Sequence, residues 1–397
     1  MRDTTIAVVT ALSPSSTTLA EYGWHLLRAL ASKQGIRVVA LVEDAEHDYP
    51  DIAGVEIVKT WRFNALTNPV RIARAARRAG ADVVLFNAHF TSFGSSKVAA
   101  TLGLMSPLVA KGMKMRTVTL LHNIVETVDL AAAGFGSNRL IERAMRAIGS
   151  LVTWLVLRSD LVTTTMPRYV EVLRSKYRAK NVVLTPHGAF DVPAPPAAPS
   201  VPQRIMTFGK FGTYKKIESL IEAVRLLGRT DVELVVAGTD SPNTPGYLAA
   251  VDEELGGPDI TFTGYVAEED IEPLFRSAAV TVFPYTATTG SSGVLHQAGS
   301  FGCAPVLPAI GDLEDLIEDE GYTGAFFTAD DPVDLARAVA ELLDDEGERS
   351  RIAEHNYRAA CALTLEDVAD WYLAHVGRMV HGEERTLLEP RALAEAD

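Results

Sequence analysis

The chain has 397 residues, enough for two or three domains with cores that need no metal or disulfide to hold them. A hydrophobic fraction of 47% and a charged fraction of 22% exclude wholesale disorder, and two distant cysteines, Cys303 and Cys361, exclude a disulfide scaffold and a four-cysteine zinc site. The net charge of −14 is unevenly spread: residues 1–190 hold 23 Lys/Arg against 14 Asp/Glu, a surplus of nine positive charges, and the remainder carries −23, a split that points to two domains with different partners.

In chain order, residues 1–10 carry Asp3 and then a short apolar run, which reads as a first strand and not as a signal peptide. Up to residue 190, apolar runs at 5–12, 37–42, 55–59, 82–87, 117–122, 161–165 and 182–186 read as buried strands. Amphipathic stretches at 19–33, 68–78, 138–157 and 168–177 read as helices. The window 147–157 is apolar nearly all round, as in a buried helix. It is too short to cross a bilayer, which takes about 20 residues. Residues 192–202 hold five prolines and read as a stiff, extended linker. Beyond it the rhythm returns, with strands at 204–209, 232–238, 260–264, 280–284 and 304–309 and helices at 216–227, 268–278, 292–301 and 332–343. Alternation of this kind predicts an α/β protein with two doubly wound, mostly parallel sheets. The expected division is 1–190, a linker at 191–203, a second domain at 204–363, a helix at 364–382 returning to the first domain, and a frayed tail at 383–397.

Ligands of open α/β sheets bind beyond the carboxyl ends of the strands, so unusual residues just after strand ends are the candidates for a site. Phe208-Gly-Lys-Phe-Gly-Thr-Tyr-Lys-Lys-Ile217 follows the first strand of the second half and opens a helix. Gly209 and Gly212 permit a sharp turn and close approach, and Lys210 and Lys215 beside a helix N-terminus suit a diphosphate. Thr288-Thr-Gly-Ser-Ser-Gly-Val-Leu-His-Gln-Ala298 also opens a helix after a strand. Its small residues Gly290, Ser291, Ser292 and Gly293 leave first-turn N–H groups open to an anion or a sugar hydroxyl. Gln297 lies one turn on, and the adjacent His296 points elsewhere, as a packed or surface histidine. His89 ends a strand and is a candidate for acceptor binding; His25 reads as a surface or packing histidine. There is neither a Gly-x-Ser-x-Gly elbow nor a Gly-x-Gly-x-x-Gly fingerprint after the first strand.

The ordered set Gly209-Lys-(x4)-Lys215-Lys-Ile, Leu234-Val-Val-Ala-Gly238, Ile260-Thr-Phe-Thr-Gly-Tyr-Val266 and Ser292-Gly-Val-(x3)-Ala-(x3)-Gly-(x2)-Pro-Val306 resembles the donor half of family-four retaining glycosyltransferases. The first half agrees more loosely, through His122 in Leu120-Leu-His-Asn-Ile124 and through Pro186-His-Gly188. The family's Glu-x7-Glu is replaced here by Thr289 and Gln297.

The resemblance implies the GT-B fold, two Rossmann-like domains facing a central cleft, and sugar transfer from a nucleotide-diphosphate sugar to an acceptor hydroxyl with retention. It implies that Lys210 and Lys215 hold the diphosphate and that His122 contacts the donor sugar. Gly209, Thr289, Gly290, Ser291, Ser292 and Gly293 would line the donor, Gln297 would hold the ribose, and Tyr265 and Val266 would meet the base. Ser15, Ser16, His89 and Asn123 would face the acceptor. No metal and no cofactor are expected, only the nucleotide sugar as co-substrate. The acceptor would be a glycan, glycolipid or small molecule and not nucleic acid, the location cytoplasmic. The basic first half, with Arg139, Arg143 and Arg146 on one helical face, also suits the inner face of a membrane, against the plainer reading of a core helix with solvated arginines. The missing carboxylates leave two alternatives: a non-catalytic nucleotide-sugar-binding or scaffold subunit, and another GT-B enzyme such as a sugar-nucleotide epimerase.

Overall fold

The computed structural model describes residues 3–14, 19–126, 139–190, 195–201, 203–241, 244–288 and 291–382. The chain forms two compact units, one built from the chain up to His187 together with the stretch from Leu365, the other from Gly188–Thr364.

The first unit runs β1 (Thr4–Val9), α1 (Ala20–Ala31), β2 (Ile36–Glu43), β3 (Val55–Trp61), α2 (Asn68–Arg78), β4 (Val83–Ala88), α3 (Lys97–Leu104), α4 (Ser106–Gly112), β5 (Arg116–Leu121), α5 (Arg139–Val156), β6 (Leu161–Thr164), α6 (Pro167–Tyr177) and β7 (Val182–Leu184). Its seven strands pair in parallel in the order β3-β2-β1-β4-β5-β6-β7. Both faces of a parallel sheet are covered, so its strands read as unbroken apolar runs. Ile6–Val9 and Val38–Val42 are accordingly buried to within 1%.

The second unit runs β8 (Arg204–Phe211), α7 (Ile217–Leu226), β9 (Glu233–Asp240), α8 (Tyr247–Leu255), β10 (Ile260–Gly264), α9 (Glu268–Ser277), β11 (Val280–Val282), α10 (Gly293–Ser300), β12 (Ala304–Pro308), α11 (Gly311–Glu320), β13 (Ala325–Phe327), α12 (Pro332–Asp344) and α13 (Glu346–Ala362). Its sheet is parallel, in the order β10-β9-β8-β11-β12-β13. The last helix, α14 (Leu365–His381), packs on the first unit. Lys33 Nζ pairs with Glu366 and Asp370, each at 2.9 Å, and the buried Tyr372 hydroxyl meets Thr163 Oγ1 at 3.0 Å.

Each sheet reverses its winding once, between β1 and β4 and between β8 and β11. Loops leaving two such neighbours diverge to opposite faces and open a crevice at the carboxyl edge.

One reading of the sequence is corrected. The second half of α5 is not buried all round: Val152, Thr153 and Val156 face the core, whereas Ile148, Leu151 and Trp154 are 51%, 57% and 43% exposed. Apolar character on every side of a helix does not reveal which side finds a partner. The described part of the proline-rich segment lies against the second unit. Ser200 and Val201 donate their N–H groups to the Arg276 and Ser277 carbonyls, and Pro196 lies where a Cβ on Gly302 would stand, 2.1 Å from Pro196 Cβ.

At the carboxyl edge of the second sheet, Gly209 and Gly238 are register partners with φ of +129° and +134°. A Cβ on Gly238 would stand 1.9 Å from the Gly209 carbonyl oxygen. Gly238→Ala therefore combines a disfavoured backbone with a backbone clash and should cost more than about 2 kcal/mol, read as a lowered urea midpoint at unchanged m-value.

Candidate functional site

In the first unit the residues of interest collect at the β1/β4 reversal. Thr10 directly follows β1, Asn87 is the penultimate residue of β4, and His122 directly follows β5. Asn87 Nδ2 donates to Thr10 Oγ1 at 3.0 Å, and the Asn87 side-chain oxygen meets His122 Nε2 at 2.6 Å. Tyr22 of α1 wedges its ring edge-on between two histidines, 4.7 Å from His122 and 4.8 Å from His187. Burial, and secondarily the neighbouring His89, push the His122 pKa down to about 3, so the imidazole is neutral at physiological pH. His89 itself closes a local turn, its backbone N–H donating to Ser92 Oγ and its Nδ1 accepting from the Thr91 N–H. Asn123 Oδ1 is buried without a hydrogen-bond partner among the described residues. Ser15 and Ser16 lie outside the described residues.

In the second unit, β8 continues two residues further than its apolar run, because β9 pairs with it as far as Phe211↔Asp240. Lys210 thus belongs to the strand and not to the loop. The loop that follows is tied to the end of β11: Lys216 N–H donates to the Pro284 carbonyl, and Thr286 N–H to that of Tyr214. This seats the Lys215 ammonium 4.7 Å from the Tyr285 ring centroid and 5.5 Å from that of Phe211. Lys215 is only 7% exposed and has no carboxylate partner among the described residues. Burial lowers its pKa to about 8. A Cβ on Gly209 would stand 3.0 Å from Lys215 Nζ and 3.6 Å from Val294 Cγ2. The two glycine-containing clusters, eighty residues apart in sequence, therefore meet: Lys215, Gly209 and the first turn of α10 border one another.

Ser292 caps α10, its hydroxyl accepting from the Leu295 N–H at 3.3 Å. Ser291 Oγ is buried with no hydrogen-bond partner among the described residues. Gln297 sits buried one turn into the helix. Tyr265, after the positive-φ Gly264, is 74% exposed, and Val266 packs against the core cluster that includes Ile271 and Phe275. Thr289 and Gly290 lie outside the described residues. Asp331 caps α12, accepting from the Val333 and Asp334 N–H groups.

Sequence reasoning missed the aromatic seat of Lys215 and the Thr10–Asn87 link. The one available signal was position, since Thr10, Asn87 and Tyr285 all stand at or just past strand ends. His296, read from the sequence as a packed or surface histidine, is packed and fully buried. Its Nδ1 meets the Ser292 carbonyl at 2.8 Å and its Nε2 the Glu320 carboxylate at 2.7 Å.

The whole architecture is that of GT-B glycosyltransferases. It superimposes on sucrose-phosphate synthase from Thermosynechococcus elongatus with a TM-score of 0.72, at 17% identity and covering 96% of this chain and 99% of that one. Anabaena HepE in complex with UDP-glucose gives 0.71 at 16% identity, covering 94% and 99%. Residues 202–345, most of the second unit, match the sequence model of the family described as Glycosyl transferases group 1. Among curated proteins the chain is similar to a D-inositol 3-phosphate glycosyltransferase of Salinispora tropica, 29% identical over 179 residues, 41% of this chain and 36% of that protein. It is also similar to the lipopolysaccharide core biosynthesis glycosyltransferase LpsE of Rhizobium meliloti, 26% identical over 208 residues, 52% of this chain and 57% of that protein. The chain thus spans well under two thirds of the length of these curated relatives.

The His296–Glu320 pair ties the first turn of α10 to the end of α11. Burial opposes charge on the imidazole, but the Glu320 carboxylate and the bonds to it and to Ser292 outweigh burial and raise the His296 pKa. A raised folded-state pKa contributes stability that is complete below the ordinary histidine value and is lost as pH climbs through the raised one. Glu320→Ala should cost about 1–3 kcal/mol at mildly acidic pH. Denaturation from mildly acidic to alkaline pH should show the wild type converging on the variant as pH rises.

Proposed function

We propose that the protein is a retaining, metal-independent glycosyltransferase that moves a sugar from a nucleoside-diphosphate sugar to an acceptor hydroxyl. The observation that carries this reading is the Lys215 ammonium, buried among Tyr285, Phe211 and Tyr214 with no carboxylate among the described residues to neutralise it. A buried charge without a counter-ion is costly, and a diphosphate supplies the missing negative charge. As the glycosidic bond breaks, charge grows on the leaving phosphate, and a preplaced ammonium stabilises that charge more than it does the bound donor. Lys210 assists. The first turn of α10, from Ser291 to Gly293, offers N–H groups and hydroxyls to the distal phosphate or sugar, Gln297 holds the ribose, and Tyr265 and Val266 meet the base.

The first unit supplies His122 to the donor sugar and His89 and Asn123 to the acceptor. The leaving phosphate takes the acceptor proton on the face from which it departs, so the anomeric configuration is retained. The complexes of HepE with UDP and UDP-glucose put uridine nucleotides first among donors to test.

Lys215→Ala should abolish transfer and weaken binding of nucleoside diphosphates about tenfold or more, since a charged hydrogen bond is worth about 1.5–3 kcal/mol; Lys210→Ala should act in the same direction, less strongly. In the wild type, affinity for UDP should fall by up to about tenfold per pH unit above pH 8, where the free Lys215 loses its proton, and the Lys215→Ala variant should lack this dependence. Calorimetric titration over pH 7–10 checks both. Unchanged affinity and turnover in the two variants would remove the diphosphate assignment.

We further propose that the first unit docks on an anionic membrane through α5. Ala147, Leu151 and Trp154 are exposed along the helix at spacings of four and three, with exposed Arg143 and Arg158 at the two ends of this stripe. Arg158 stacks over Trp154 at 4.1 Å. Apolar side chains bracketed by cations match the acyl boundary and phosphate layer of a bilayer surface. The full chain should co-sediment with anionic but not with neutral vesicles, and both 0.5 M salt and Leu151→Glu should release it. Absence of binding at low salt would leave a water-soluble acceptor.

A further inference from the structure

We infer that Thr10 and Asn87 are positioning residues that lock His122 in the Nε2–H tautomer, so that its Nδ1 is a hydrogen-bond acceptor reserved for a ligand hydroxyl. The argument is one of hydrogen-bond polarity. A backbone carbonyl can only accept, and the Ala11 carbonyl takes the Thr10 hydroxyl proton at 3.1 Å. With that single proton committed, Thr10 Oγ1 can only accept from its other neighbour, the Asn87 amide at 3.0 Å. The Asn87 NH2 is thereby turned to Thr10 and its carbonyl to His122 Nε2, 2.6 Å away, which must donate. The reversed amide would set its carbonyl against a hydroxyl whose proton is already given to Ala11, and would leave two groups of a buried network without a donor. Thr10 and Asn87 are only 2% and 3% exposed, so water does not relieve such a mismatch. A neutral imidazole protonated on one nitrogen presents a lone pair on the other, and among the described residues nothing hydrogen-bonds Nδ1.

The packing protects this relay. A Cβ on Gly23 of α1 would stand 2.2 Å from Thr10 Oγ1 and 2.7 Å from the Ala11 carbonyl oxygen. Glycine there lets the helix lie directly on the first link. Burial keeps His122 neutral, its pKa near 3, so protonation does not convert the acceptor into a second donor at physiological pH. An acceptor nitrogen favours groups that bring a proton, such as the hydroxyls of a sugar, over carbonyl and phosphate oxygens, which bring none. This deepens the proposed role of His122 toward the sugar and rests on it for the identity of the ligand, although the tautomer itself does not.

The test separates the two. The full chain labelled with 15N-histidine is examined by two-bond 1H–15N correlation, with the His122 signals assigned by their loss in His122→Gln. The expected pattern is a protonated Nε2 and an unprotonated Nδ1, unchanged between about pH 6 and 8. An Nδ1–H tautomer, or a doubly protonated ring, overturns the proposal whatever the enzyme does. In Thr10→Val the amide loses its orienting acceptor, and a mixture of tautomers is expected, with Thr10→Ser restoring the single form. An unaltered single tautomer in a folded Thr10→Val protein also overturns it. Should the valine variant fail to fold, Asn87→Asp serves instead: a carboxylate keeps Nε2–H in place and makes His122 titrate several pH units higher, and a His122 that stays neutral in it counts against the link. In a transfer assay, Thr10→Val should lower kcat/KM about three- to tenfold with Thr10→Ser near wild type. A wild-type tautomer as expected with no loss of kcat/KM would sink the role of His122 in sugar binding and leave the relay intact.

Discussion

A lysine ammonium buried from water, with no acidic partner among the described residues, dictates much of the second unit. Lys215 reaches its position only because the loop after β8 is sewn to the end of β11, which places Tyr285 beneath the ammonium. A side chain on Gly209 would crowd it, a Cβ there standing 3.0 Å from Nζ, and Gly209 in turn requires Gly238 beside it, since any Cβ at 238 would enter the Gly209 carbonyl. Three rings within 6 Å soften the desolvation without cancelling it. The seat is therefore under-neutralised as built, and its depressed pKa is a measure of that. A site in this condition gains most from a ligand with concentrated negative charge.

The first unit solves a different problem with a neutral network. Its reversal point, between β1 and β4, carries hydroxyl, amide and imidazole in sequence, each satisfied by the next and the first anchored on a backbone carbonyl. Such a network is costly when incomplete and rigid when complete. The buried His296–Glu320 pair is a third device, with a charge kept inside the fold because both partners are present. It shows how a histidine of α10 can be satisfied wholly inside the fold.

Much of this was legible in the chain. Alternating apolar and amphipathic segments indicated two parallel sheets because strands covered on both faces leave no polar alternation to confuse them. The loops at 208–217 and 288–298 stood out because glycine and lysine are poor choices for packing and good ones for anions. Short or weakly patterned elements escaped: α3 and α4 are broken by Gly103 and by Ser106-Pro107, and α13 carries charges around most of its surface. The exposure of Ile148, Leu151 and Trp154 was also invisible, since a helix apolar on all sides gives no sign of which face will be left without a neighbour.

The sequence by itself determined the fold class, the strand ends and the chemical types available there, because these depend on local periodicity and on residues a few positions apart. Only tertiary structure decided that Lys215 would sit against Tyr285, that Asn87 would bridge Thr10 and His122, and that His296 would turn inward to Glu320. Those contacts join residues 24 to 77 positions apart. Their existence depends on which strands become neighbours at the winding reversals, and on glycines at 23, 209 and 238 that permit the backbone to close in.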